Sequence, residues 1–166
     1  KYSLILNREF IEEINRTYLS ISEKIKTRLL EFKRLWDKGS EEEIFAELVF
    51  CLLTPQSRAE NCWNAVSNLL TRNLLYNGNI KEISGELDGV RFKNKKSFYI
   101  VKARNQFITR NRICIKNKIK RFFDFYTARE WLVKNVVGLG YKESSHFLRN
   151  VGVEENLAIL DRHILK

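Results

Sequence analysis

Apolar residues recur at helical spacing along most of this chain, and this periodicity is the strongest constraint on its fold. Ser40 and Glu43 have the spacing of a helix capping box. They precede a continuous apolar stripe that stops at Pro55 and consists of Ile44, Phe45, Leu48, Val49, Leu52 and Leu53. Only residues 112–120 alternate between polar and apolar as a strand would, and that segment is short. We therefore predict an all-α protein.

Three other pairs share the capping-box spacing and predict further helix starts. They are Ser20 with Glu23, Ser57 with Glu60, and Thr127 with Glu130. The pattern also predicts a helix over about residues 94–109.

The charge balance indicates the kind of partner. The 166 residues contain 30 Lys and Arg against 20 Asp and Glu, a net charge of +10. This excess favours a polyanionic partner, with nucleic acid first and an anionic membrane surface as the competitor. The basic residues do not lie on one long amphipathic helix, and no apolar run reaches transmembrane length, so we expect no membrane partner. At 44% hydrophobic residues, the chain is not intrinsically disordered.

The number and spacing of the cysteines indicate the redox environment of the protein. Cys51, Cys62 and Cys114 are odd in number and form no CxxC pair, which argues against a zinc ribbon or a disulfide framework. We expect an intracellular protein of the cytoplasm or nucleoid, with reduced cysteines. Cys51 and Cys62, together with Trp63, fall on apolar stripes and are predicted to lie in the core.

The most informative segment is Gly138-Leu139-Gly140, which separates one predicted helix from another that begins at about Tyr141. Two glycines two positions apart allow a tight hairpin, because glycine accepts backbone angles closed to other residues. Backbone N–H groups at such a hairpin can face a nucleic-acid phosphate. Taken alone, however, this pattern is more often a simple helix connection.

Lys142 lies in the first turn of that second helix. The helix dipole there disfavours a cation and so favours the neutral amine, a nucleophile that forms Schiff bases with carbonyl carbons. Asp161 follows 19 residues later, after an apolar run and at the start of another predicted helix. A helix N-cap is the simpler role for this aspartate, and capping and catalysis do not exclude each other.

With these residues in view, the chain resembles the helix-hairpin-helix DNA glycosylase superfamily. It is most similar to the type-two branch of the 8-oxoguanine DNA glycosylase/AP lyases. The resemblance rests on residues 138–142, 145–152 and 160–163, which read GLGYK, SHFLRNVG and LDRH. It is dense over residues 127–166 and looser back to residue 31.

The resemblance implies a bifunctional enzyme of base-excision DNA repair, a DNA N-glycosylase and an AP lyase that excises 8-oxoguanine. Its partner would be double-stranded DNA that contains an oxidised purine or an abasic site, bound by a monomer. Lys142 matches the lysine that attacks the deoxyribose C1′ and forms the Schiff base. Asp161 matches the carboxylate that stabilises the cationic sugar. β-Elimination would then break the strand 3′ to the lesion.

The resemblance also implies DNA-binding residues, which are Gln56, Arg91, Phe92, Gly138, Gly140, Tyr141 and His146. For three of them a simpler role stays open: Gln56 as an exposed turn residue, Phe92 as a core residue and His146 as a packing residue. His163 could likewise touch DNA or only pack at the interface of the lobes. The basic run over residues 110–121 lies outside the matched motifs, and we expect it to be a solvated surface rather than a DNA contact.

The main-chain carbonyls of Lys134, Val136 and Leu139 match a hairpin site for a structural Na⁺ or K⁺ ion. No cofactor is required by the implied chemistry, and the chain lacks the cysteine cluster of the superfamily's iron–sulfur branch.

The implied fold has two helical lobes with the active site in the cleft between them. Residues 1–38 with 158–166 would form one lobe, and residues 39–157 would form the lobe that bears the helix-hairpin-helix motif. Because the superfamily continues beyond the helix that contains Asp161, we expect the chain to be part of a longer protein. Two alternatives stay open: a non-catalytic DNA-binding module, and a related lyase for oxidised pyrimidines or abasic sites.

Overall fold

The computed structural model describes residues 8–154 and residue 159, and this part of the chain is helical, as predicted. A single two-stranded hairpin interrupts the helices of the described part. The elements in chain order are α1 (Arg8–Lys38), α2 (Glu41–Leu53), α3 (Ala59–Thr71), α4 (Leu74–Asn77), α5 (Ile80–Gly85), α6 (Lys93–Phe107), β1 (Ile108–Thr109), β2 (Arg112–Ile113), α7 (Ile115–Ile119), α8 (Phe125–Asn135) and α9 (Tyr141–Asn150).

Helix α2 is the centre of the core. All of its residues from Ile44 to Leu53 are buried, because a helix that is apolar on every side must be covered on every side. Helices α3, α6, α7 and α9 pack around it. The predicted capping box is confirmed: Glu43 N–H donates to Ser40 Oγ at 3.1 Å, and Ser40 N–H donates to Glu43 Oε2 at 2.8 Å.

Two predicted helix starts are wrong. Helix α1 runs without interruption through Ser20, whose hydroxyl donates to the Thr17 carbonyl at 2.7 Å, a bond that a serine commonly makes inside a helix. Helix α8 starts earlier than expected because Asp124 is its N-cap and accepts a hydrogen bond from Thr127 N–H at 2.8 Å. Thr127 is therefore the third residue of the helix.

A third predicted start is wrong for a different reason. Helix α3 begins at Ala59, and Ser57 makes no capping bond to it. The Ser57 hydroxyl instead accepts hydrogen bonds from the backbone N–H of Arg91 and from Lys96. A long-range contact has replaced the local cap.

The alternating segment at residues 112–120 forms a strand only at its start. Ile113 pairs with Ile108 across a turn made by Arg110 and Asn111, both in the left-handed region at φ 51° and 62°. Such a turn matches the twist of a two-stranded hairpin. Residues 115–119 are helical, and Ile115 and Ile119 are buried four positions apart on one face.

Helix α1 contributes to the core only near its end, where Leu35 and Trp36 pack against it. The prediction that Cys51 and Cys62 lie in the core is confirmed, but Trp63 is 37% exposed and is a surface aromatic. The division into two lobes stays a prediction. Among the described residues, no helix combines the length and the apolar character needed to cross a membrane.

Candidate active site

The predicted hairpin joins α8 to α9, and α9 spans Tyr141–Asn150 as expected. The turn closes with a hydrogen bond from Leu139 N–H to the Val136 carbonyl at 3.2 Å. Gly138 has φ +94°, and a Cβ there would collide with the ring of Tyr99. Only glycine suits both the backbone angle and the close approach of Tyr99.

Polar contacts fix α9 against α8. The guanidinium of Arg129 lies 5.5 Å from the ring centroids of both Tyr126 and Tyr141. The Tyr141 hydroxyl donates to Glu130 Oε2 at 3.0 Å, and this hydrogen bond raises the pKa of Tyr141. Tyr141 remains 53% exposed, so part of its surface is available to a partner.

Lys142 is the second residue of α9 and is exposed to solvent. One turn further on, His146 is half-buried and meets the ring of Phe50 edge-on at 6.0 Å. Burial first, and then the positive charges of Arg149 and Lys142, lower the pKa of His146 to about 4. The imidazole is therefore neutral at pH 7, which argues against a role as a cationic phosphate contact.

A cleft of about 400 Å³ opens beside His146, between α1 and the helices α2, α3 and α9. Trp63 stacks on Phe50 with ring centroids 4.4 Å apart and an angle of 18° between the planes. The cleft is therefore part aromatic and part basic. Its lining consists of Ile25, Arg28, Leu29, Phe32, Phe50, Ala59, Trp63, His146, Arg149 and Asn150.

Behind this cleft, a buried hydrogen bond ties α9 to α2. Glu47 is 5% exposed and accepts from Asn150 Nδ2 at 2.7 Å. Burial raises the pKa of Glu47, while the hydrogen bond from Asn150 and the charges of Arg28 and Arg149 oppose that shift. This contact orients the helix that carries Lys142.

The structure brings Gln56, Arg91 and Phe92 together. The Arg91 N–H donates to Ser57 Oγ at 3.0 Å, which joins the loop of Arg91 to the turn of Gln56. Gln56 is exposed, and Phe92 is 56% exposed with the Arg91 guanidinium 5.3 Å from its ring centroid. The alternative that Phe92 is a core residue is thus wrong, whereas DNA contact by these three residues stays a prediction.

Sequence reasoning did not single out Lys96. Lys96 is 4% exposed and is hydrogen-bonded to the Gln56 turn. A signal was present: position 96 lies one turn before Ile100 on the face of α6 that also carries Ala103 and Phe107, all buried.

The basic run over residues 110–121 is partly engaged within the protein. Lys116 Nζ donates to the carbonyls of Asp37 and Gly39 at 3.4 Å. The backbone N–H of Lys116 donates to the Glu41 carboxylate. Lys118 lies 4.6 Å from the ring centroid of Trp131. These contacts give two of the basic residues a structural role.

The cation site that the resemblance implies would consist of backbone oxygens. Lys134 is in the last turn of α8, where carbonyls lack the usual donor four residues ahead, and the oxygens of Val136 and Leu139 follow in the hairpin. Carbonyl oxygens suit a hard cation. Among the described residues, no cluster of three His, Cys, Asp or Glu side chains could hold a metal ion. Asp161 and His163 lie outside the described residues.

Comparison with known proteins gives a consistent result. The family model described as 8-oxoguanine DNA glycosylase matches residues 25–166. A Fusobacterium nucleatum protein named 8-oxoguanine DNA glycosylase/AP lyase is 48% identical over 158 residues, which cover 95% of this chain and 73% of that protein. A Sulfolobus acidocaldarius protein of the same name is 40% identical over 155 residues, which cover 89% of this chain and 72% of that protein.

Solved structures are similar as well. The crystal structure of the 8-oxoguanine DNA glycosylase of Thermotoga maritima has a TM-score of 0.81 and 36% identity, covering 95% of this chain and 72% of that one. The Methanocaldococcus jannaschii 8-oxoguanine glycosylase/lyase, in complex with a 15mer DNA containing 8-oxoguanine, also has a TM-score of 0.81, with 37% identity over the same shares of the two chains.

Proposed function

The chain belongs to the 8-oxoguanine DNA glycosylase family, and we propose that it excises 8-oxoguanine from duplex DNA and then cleaves the strand through a Schiff base on Lys142. Glycosylase and lyase activities are those that the names of its relatives state. One such relative has been solved with DNA that contains 8-oxoguanine. The reaction belongs to base-excision repair, and it would act on the DNA of the cytoplasm or nucleoid.

The observation that carries this mechanism is an exposed lysine at the start of α9, one turn from an aromatic-lined cleft. An extruded purine would find an aromatic wall in Phe50 and Trp63. The reacting sugar would then lie near Lys142. No cofactor is needed for this chemistry, because the nucleophile is the amine itself.

In the proposed reaction, the Lys142 amine bonds to C1′ as the bond between C1′ and the base nitrogen breaks, and the base leaves with a proton. Loss of an amine proton and opening of the sugar ring convert the adduct to an imine. The imine makes the C2′ proton acidic, and its removal expels the 3′ phosphate. Asp161 would stabilise the cationic sugar, a role that rests on the sequence resemblance.

Two exposed side chains of the described surface support the proposed extrusion of the damaged base. Phe92 and Gln56 project from adjacent turns, where an aromatic wedge could enter the base stack and an amide could pair with the orphaned base. Gly138, Gly140 and Tyr141 would meet the phosphate backbone at the hairpin.

We also propose that a Na⁺ or K⁺ ion binds the carbonyls of Lys134, Val136 and Leu139. The position of these carbonyls at the end of α8 supports this site, because the last carbonyls of a helix have no donor within that helix. The ion would add positive charge beside the hairpin, where a DNA phosphate is expected. It would have no part in the covalent chemistry.

Borohydride trapping tests the mechanism directly. The full-length protein is mixed with a duplex that carries 8-oxoguanine opposite cytosine, with an abasic-site duplex in parallel. We expect a covalent adduct on both, lost in Lys142→Gln, which still binds the duplex. Asp161→Asn should slow adduct formation by about a hundredfold or more without unfolding the protein.

Each other outcome has a definite meaning. An adduct on the abasic duplex alone would retain the lyase and withdraw 8-oxoguanine as the substrate. No adduct on either duplex, with binding intact, would indicate a non-catalytic DNA-binding module. Unchanged turnover in Lys142→Gln would contradict the assignment of the nucleophile.

A further inference from the structure

Lys96 is a buried lysine whose ammonium group is fully engaged by the turn that carries Gln56. Its Nζ donates to the carbonyls of Leu53 and Pro55, both at 2.7 Å, and to Ser57 Oγ at 3.0 Å. An ammonium group has three donors, and all three are used within this one short segment. The side chain therefore fixes the path of the backbone on both sides of Gln56.

That path is an unusual one. Gln56 has φ 56°, in the left-handed region that residues other than glycine rarely adopt. Such a conformation persists only where surrounding contacts hold it. The hydrogen bonds from Lys96 to the preceding carbonyl and to the following hydroxyl provide that restraint, while the Gln56 side chain stays exposed.

The same contacts extend to the loop of Phe92. Ser57 Oγ accepts from Lys96 Nζ and also from the Arg91 N–H at 3.0 Å, so that one hydroxyl joins both segments. Asn61 Nδ2 adds a bond to the Gly89 carbonyl at 3.1 Å. Phe92 is itself left-handed at φ 59° and is exposed. The two loops are thus cross-linked beneath their exposed side chains.

Burial of an ammonium group among neutral acceptors is a poor way to gain stability. Its desolvation offsets much of what the hydrogen bonds contribute, and an apolar side chain of similar length could fill the same space. Burial indeed lowers the pKa of Lys96. What an apolar side chain could not supply is the geometry of the three bonds. This comparison points to a role in positioning rather than in stability.

We propose that Lys96 is a positioning residue for lesion extrusion, which holds the Gln56 turn and the Arg91–Phe92 loop in the paired arrangement that enters the base stack. The proposal rests on the proposed function, because it assigns those exposed residues to the duplex. Lys96 itself does not touch the substrate, and it acts through Ser57 and the two backbone carbonyls.

The experiment compares two substrates in single-turnover assays of the full-length protein. Excision of 8-oxoguanine from a duplex requires extrusion of a stacked base, whereas cleavage of a single-stranded abasic oligonucleotide does not. We expect Lys96→Met to lower duplex excision by about tenfold or more. Single-strand cleavage should stay within about twofold of the wild type, because the reactive amine on α9 is unaffected.

Two further variants keep the test decisive. Ser57→Ala removes only a hydroxyl and should shift the same ratio by about threefold or more, even if Lys96→Met folds poorly. Lys102→Met is the matched control, an exposed lysine on the same helix with the same change in charge, and it should leave the ratio unchanged. Equal losses on both substrates, or no loss on the duplex, would overturn the proposal.

Amide hydrogen exchange provides a readout independent of activity. The Arg91 amide should exchange about tenfold faster in Ser57→Ala and in Lys96→Met, while α8 and α9 amides keep their protection. Unchanged Arg91 exchange in both variants would overturn the proposal. If the wild type cleaves abasic DNA but excises no 8-oxoguanine, the proposed substrate is wrong, whereas the proposal for Lys96 can still be tested. The test then compares cleavage of a duplex abasic site with cleavage of a single-stranded abasic site in the same variants.

Discussion

At the scale of single residues, the environment of His146 decides its chemistry. The imidazole is half-buried against the ring of Phe50, and the cations Arg149 and Lys142 are nearby. Burial and these two charges together lower the pKa of His146 to about 4. A neutral imidazole can line the cleft and offer one donor and one acceptor to a bound group. The sequence motif identified His146 as a candidate, whereas the protonation state of its imidazole follows from the packing.

His146 should make the protein sensitive to acid. Between pH 6.5 and about 4 the unfolded chain binds a proton at His146 that the folded protein does not, so its stabilising contribution is complete above pH 6.5 and is lost as the pH falls through that window. We expect a loss of about 2 kcal/mol, allowing for solvent screening at this half-buried site. Denaturant unfolding at pH 7 and pH 4.2 measures it.

The control for that prediction is His146→Gln, which keeps a polar side chain of similar reach but cannot titrate. Between the two pH values, the free energy of unfolding of His146→Gln should fall by about 2 kcal/mol less than that of the wild type. An equal fall in the two proteins would show that other groups dominate the acid response.

At the scale of elements, the helical hairpin depends on Gly138. Its positive φ turns the chain between α8 and α9, and the absence of a side chain lets Tyr99 of α6 pack onto the turn. Lys96 lies one turn away from Tyr99 on the same helix. Helix α6 thus contacts both the hairpin and the turn of Gln56.

Gly138→Ala should damage the hairpin, because alanine is strained at φ +94° and its Cβ would collide with the Tyr99 ring. We expect a loss of about 2 kcal/mol in the free energy of unfolding and about a tenfold weaker affinity for duplex DNA. Thermal unfolding and fluorescence anisotropy measure the two effects. Gly85→Ala is the control, since a Cβ at Gly85 has nothing within 4 Å. A tolerated Gly138→Ala would mean that the turn rearranges freely.

At the scale of the whole molecule, the net charge of +10 sets how the protein meets its partner. Part of the positive charge is used internally, as at Lys96, Arg129 and Lys116. A net positive charge of this size attracts phosphates whatever the local partners of single residues. Association should therefore have a large electrostatic component that does not depend on the DNA sequence.

Duplex affinity should fall steeply with salt, because each phosphate contact releases condensed counterions. If about four phosphates are neutralised, Kd should rise by about a hundredfold between about 50 and 200 mM salt. Anisotropy titrations at several salt concentrations give the slope, with undamaged duplex of equal length as the control. A flat dependence would argue against a DNA-binding surface of this kind.

Some features of this fold follow from short sequence patterns, and others do not. The stripe of α2 and the hairpin at Gly138 depend on short-range periodicity and on backbone permissiveness, and the structure contains both as predicted. The helix starts expected at Ser20, Ser57 and Thr127 failed, because a capping-box spacing also occurs within helices and because a hydroxyl can serve a distant partner. Local patterns do not distinguish these cases.

The sequence by itself determined the helical class, the basic character and the position of the nucleophile candidate Lys142, since each depends on composition or on spacing within one element. Only the tertiary structure decided that Lys96 is buried beneath the Gln56 turn, that Trp63 and Phe50 form one wall of a cleft, and that His146 is neutral. Those properties arise between elements far apart in the chain, where burial and charge depend on what packs alongside.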